Sequence, residues 1–114
     1  MLDILRELEL LLSKHGYHGQ AAAVERIIRF RQVEDRKAFV EAVTGLSVWG
    51  GSGSVADVDL RHDPPTSAAE APADVRRFRG VMIALADALE HEGLGTVRTR
   101  DVAATFRSWA AQGV

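Results

Sequence analysis

Leucines and Ile4 recur at positions 2, 4, 5, 8, 11 and 12, with Asp3, Arg6, Glu7 and Glu9 largely between them. Steps of three and four residues gather the apolar side chains into one stripe of a helix. Lys14 and His15 suit the negative end of that helix, and Gly16 can take the left-handed cap. The same period returns in 20 to 30, where Ala23, Val24, Ile27 and Ile28 share a face. The short link Tyr17-His18-Gly19 makes this second helix antiparallel to the first. Glu34 or Asp35 can cap a third helix that turns Phe39, Val40, Val43 and Leu46 to one side and ends at Gly45. The clearest pattern is Val75, Phe78, Met82, Leu85 and Leu89, running from Asp74 as N-cap to Gly93 as C-cap. Thr99 can cap a last helix with Asp101 in its first turn and Val102, Phe106 and Trp109 buried. The segments HGYHG at 15 to 19 and HEGLG at 91 to 95 share helix-ending chemistry without implying a duplication.

Between the third and fourth helices the period breaks. Residues 47 to 60 carry a glycine-rich run, and 61 to 73, RHDPPTSAAEAPA, hold all three prolines of the chain. Proline fixes the backbone and removes donors, so this stretch is expected to cross the surface, least ordered at 64 to 72. A short extended piece is expected near 58 to 60. The pattern predicts an all-α fold of about five helices, one compact domain over 1–114, with an irregular Gly/Pro-rich crossover.

Composition narrows the function more by exclusion than by assignment. The 114 residues are 46% hydrophobic and 26% charged, an ordinary globular balance. A net charge of -2 gives no overall attraction to nucleic acid or to an anionic membrane. Without cysteine there is no disulfide, thiolate metal site or cysteine nucleophile. The acidic residues in MLDILRELELLL do not fit a secretory leader, and cytoplasm is the expected compartment.

The stretch 49 to 59, WGGSGSVADVD, is the chief candidate for a site. A P-loop needs lysine after its glycines, and no lysine follows position 37. A dinucleotide-binding loop needs a strand before it, where this chain reads as helix. Two uses remain. The amides of 51 to 54 could form an anion-binding concavity. Alternatively the glycines serve a tight turn, with Ser54 capping a short turn through Asp57, Trp49 in the core, and the Asp57 carboxylate accepting from amides of 53 to 55 or from Arg79. The order Gly50-Gly51-x-Gly53-Ser54-x-x-Asp57-Val58 resembles the signature of a family of small, uncharacterised bacterial proteins, in which a helical part precedes the signature and a helix with an apolar-Arg pair follows. Phe78-Arg79 matches that pair, and Ser52 stands where a bulkier apolar residue is usual. The resemblance implies a bacterial, cytoplasmic, helical protein and no reaction.

Other candidates have plainer alternatives. Asp57, Asp59, His62 and Asp63 could hold a metal, with His15, His18 or His91 brought from elsewhere, but their order is not that of an EF-hand and loop carboxylates commonly serve as caps. His15 and His91 sit where imidazole suits a helix C-terminus. Arginine outnumbers lysine twelve to two, clustered at 26 to 37 and 76 to 79, which suits solvated faces or acidic partners. The segment 98 to 109 resembles the entry helix of a helix-turn-helix, but no recognition helix follows. The function expected is non-catalytic protein-protein interaction, of accessory or immunity type, with no cofactor; the partner is another protein, a second copy being one option. The alternative is a small-anion or metal-binding protein using the 50–63 loop with Arg79.

Overall fold

In the computed structural model, residues 1–58, 60 and 71–113 are described. Helix α1 spans Leu2–Lys14, α2 His18–Gln32, α3 Arg36–Val43, α5 Ala71–His91 and α6 Val97–Ala111, with a single turn α4 at Leu46–Trp49 and a 3-10 turn at Val55–Asp57. Among the described residues there are five helices of eight residues or more and no strand, a compact all-α fold. Val58 has extended angles, φ −66° and ψ 130°, without pairing. None of the described helices is long and apolar enough to cross a membrane.

The apolar stripes meet in one core. Leu5, Leu8 and Leu12 of α1 pack with Val24 and Ile27 of α2 and with Met82, Leu85 and Leu89 of α5, all at 1% exposure or less. Helix α1 thus lies against both α2 and α5, and α6 packs on α5 through Ala103 and Phe106. Phe39 and Val43 bring α3 onto α2. Trp49 is buried at 2% exposure, and its indole N–H donates to the Val43 carbonyl at 2.7 Å.

Three helices close with the same left-handed device. At the end of α1 the Tyr17 amide donates to Leu12 O and that of Gly16 to Ser13 O; at the end of α5, Leu94 donates to Leu89 O and Gly93 to Glu90 O. Gly16 and Gly93 have φ of 83° and 78°. The end of α2 repeats the pattern with Asp35 to Phe30 O and Glu34 to Arg31 O, but here the left-handed residue, φ 58°, is Glu34. Asp35 caps α3 by accepting from the Ala38 amide, and Glu34 does not.

Several boundaries differ from the sequence expectation. Helix α5 begins at Ala71, so Asp74 lies within its first turn. Pro72 is compatible with that start because the first turn has no need of its amide. Of the expected crossover, 59 and 61 to 70 lie outside the described residues; of the stretch expected to be least ordered, 64 to 72, residues 64 to 70 lie outside them and 71 and 72 open α5. Thr96, not Thr99, caps α6; the two threonines form a reciprocal capping box, each side chain accepting from the other's amide. Asp101 consequently falls beyond the first turn. Thr44 closes α3, and Gly45 instead opens α4, which leaves Leu46 63% exposed rather than buried. Trp109, expected in the core, is 38% exposed.

Candidate functional site

The glycine stretch folds into a turn whose polar groups satisfy one another. Helical turn α4 ends at Gly50, where a Cβ would stand 2.4 Å from Leu46 O, so only glycine allows the approach. Gly53 has φ +84°. Gly51 meets neither demand: its φ is not positive, and an added Cβ would touch nothing within 4 Å. The Ser54 hydroxyl donates to Gly50 O at 2.6 Å and accepts from the Asp57 amide at 3.2 Å, which caps the 3-10 turn. Asp57 Oδ2 in turn accepts from the Gly53 amide at 3.2 Å. Gln20 fastens the turn to α2 by donating to Gly53 O.

Asp57 therefore occupies the place at the Gly53 amide that a bound anion would take, and its charge would repel one. The sequence left Asp57 to pair with turn amides or with Arg79; the amide is the partner it meets. Asp59, His62 and Asp63 lie outside the described residues, and among the described ones no three His, Asp or Glu side chains converge on a point that could hold a metal.

Asp57 and Arg79 nevertheless line one cavity of about 230 Å³, walled by Val58, Leu60, Val75, Phe78, Phe106 and Trp109. Arg79 is 6% exposed, and its guanidinium lies 5.2 Å from the centre of the Trp109 ring, a cation–π arrangement. Phe106 stacks on Trp109 at 5.4 Å and on Phe78 at 6.2 Å.

Beside this cavity lies an open notch of about 240 Å³ between α6 and the glycine turn. Asp101, Val102, Thr105, Phe106 and Trp109 form its α6 wall, at the spacing of one helical face. Gly50, Ala56 and Asp57 form the other. Neither Asp57 nor Asp101 has a cationic partner among the described residues, although all three acids of α5, Asp74, Asp87 and Glu90, have one. Glu90 pairs with Arg100 at 2.5 Å, which holds its carboxyl below the usual range; Asp87 pairs with Arg107. Elsewhere Glu92 pairs with Arg31, Glu25 with Arg29 and Glu7 with Arg77. Of the arginines clustered in the sequence, Arg29, Arg31 and Arg77 thus pair with acids of the same molecule, and Arg79 lies over Trp109.

One polar centre was not foreseen. Asp74, 6% exposed, receives His15 Nε2 at 2.8 Å and Lys14 Nζ at 3.0 Å on the same carboxylate oxygen. The bond from His15, then that from Lys14, hold the Asp74 carboxyl below its ordinary value against the opposing effect of burial. His15 Nδ1 is buried and has no hydrogen-bond partner among the described residues. Among the described residues no hydroxyl nucleophile accompanies this pair, which joins the end of α1 to the start of α5. His91 ends α5 as expected.

Compared with known protein families, curated proteins and solved structures, the chain matches none of them. The likeness at 50 to 58 stands on its motif alone.

Proposed function

We propose that this chain is a non-catalytic protein-interaction protein of accessory or immunity type, bacterial and cytoplasmic as its glycine signature implies, with its contact face at the α6 notch. One observation carries the proposal. Trp109 is 38% exposed in a concavity flanked by two carboxylates, Asp57 and Asp101, that form no ion pair among the described residues. Tryptophan is the residue most enriched among interface anchors, and a part-exposed ring in a recess is ready to lose its water to a partner. The self-satisfied glycine turn supports the same function, since Gly53 N and the Ser54 hydroxyl are already engaged.

The test is affinity capture from the native host with the parent protein and with Trp109→Ala. The expected outcome is a partner lost with the variant at a temperature where both proteins stay folded; some fall in melting temperature accompanies it, since Trp109 also packs on Phe106 and on the Arg79 guanidinium. Melting is also followed with phosphate, nucleotides and divalent cations, because a ligand of the folded state raises the midpoint with the logarithm of its concentration. A clear rise with any of these, and no partner dependent on Trp109, would replace interaction by ligand binding.

A further inference from the structure

The partner's chemistry follows from the charge of the notch, and this step rests on the interaction function proposed above. We infer that the recess between α6 and the glycine turn receives an arginine side chain of a partner protein, with an apolar neighbour of that arginine lying against Trp109. The recess is about 240 Å³, below the roughly 300–1,000 Å³ of small-molecule sites and suited to a single side chain. Asp57 and Asp101 stand on opposite walls, and no cationic side chain is among the lining residues. Asp57 accepts one bond, from the Gly53 amide, and its remaining lone pairs stay available.

Beside apolar Val102, Phe106 and Trp109, two carboxylates of one sign line the recess, so it favours a cation. Two carboxylates cannot supply the several oxygens a calcium ion takes. Arginine fits better than lysine because its planar fork bonds to carboxylates in pairs and stacks on aromatic faces. Arg79 does not fill this role. It is buried at 6% exposure and lines the neighbouring cavity, not the recess. An acidic peptide or a nucleic-acid backbone would meet like charge.

The probe is the capped peptide acetyl-Gly-Arg-Leu-Gly-amide, titrated into the isotope-labelled full chain and followed by amide and indole resonances. Saturable shifts at the Trp109 indole and at 101–106, with affinity in the roughly millimolar range, are expected. Citrulline in place of arginine should weaken binding about tenfold, and Asp101→Asn several-fold; added salt should reduce the affinity of the parent. Among the described residues Asp101 forms no hydrogen bond or ion pair that its replacement would break, so that variant reads the recess rather than stability. Equal binding by the glutamate counterpart, shifts centred on another face, or no saturable shift would overturn the arginine assignment. If a captured partner depends on Trp109 but binds Asp101→Lys as well as the parent, the interaction function stands and arginine recognition falls. Conversely, arginine-specific shifts without any Trp109-dependent partner would uphold the recess chemistry and sink the broader function.

Discussion

The glycine turn and the Lys14–His15–Asp74 centre solve the same problem in opposite ways. In the turn, the bonds among Gly50, Gly53, Ser54 and Asp57 span three or four residues; Gly53 and Asp57 face solvent, while Ser54 is buried. In the buried centre, His15 and Asp74 are 59 positions apart, and their link ties α1 to α5 at 2.8 Å. A local cycle loses little when one member is removed, because water can replace it. A buried charge stripped of its partner cannot be rescued in that way. The two regions should therefore respond very differently to substitution.

The largest effect is expected at Asp74. Asp74→Ala strips the buried His15 of its carboxylate and should lower stability by about 3 kcal/mol, a fall on the order of 10 °C in melting temperature. Asp74→Asn adds the pH signature. The folded carboxyl is held below its ordinary value near 3.8, so its contribution is full above that pH and is lost as pH falls through the folded value. Denaturant titrations should show the gap between parent and Asp74→Asn constant near neutrality and closing below about pH 4. A gap that does not change with pH would show that the carboxylate charge is immaterial.

Next come the three glycines, which the structure separates. Gly50→Val should destabilise by about 2 kcal/mol or more, because its Cβ meets the Leu46 carbonyl oxygen, a backbone atom. Gly53→Val forces a β-branched residue to positive φ and should cost about 1–2 kcal/mol. Gly51→Ala should stay within about 0.5 kcal/mol of the parent. Equal losses at all three, in thermal melts, would mean that the stretch acts as a flexible unit and not as a fixed turn.

A smaller loss is expected for Asp57→Asn, about 1 kcal/mol or less given its exposure, and unaltered by magnesium or calcium. A variant that melts above the parent would make Asp57 an unneutralised ligand-site charge. The smallest change has the opposite sign. Glu34→Gly relieves left-handed strain at the end of α2 but enlarges the freedom of the unfolded chain, and a gain of up to about 1 kcal/mol is expected.

The same division separates what could be read in the sequence from what could not. Helical period located the five main helices, and glycine at 16 and 93 marked two of their ends. Ser54 as cap and Asp57 as partner of the turn were legible because each bond lies within a few residues. The third left-handed end was hidden because Glu34 fills a glycine position. The α6 start was displaced because threonine plays both parts of the capping box. Asp74 looked like a cap because nothing local reveals His15, and Pro72 allowed the helix to begin earlier. The notch was beyond reach for a similar reason. Its Trp109 keeps the helical phase of a buried residue, and only the arrangement of α6 against the glycine turn leaves it in the open.

The two tryptophans also give the molecule a pair of unlike optical reporters. Trp49, enclosed and hydrogen-bonded to Val43 O, should emit at short wavelength and resist collisional quenching. Trp109, open to solvent on part of its surface, should emit further to the red and be reached by acrylamide. Trp109→Phe then leaves a signal for the interior alone, and Trp49→Phe a signal for the rim of the recess. Heating or ligand titration followed in both proteins would separate loosening of the core from events at the surface, without attaching a dye.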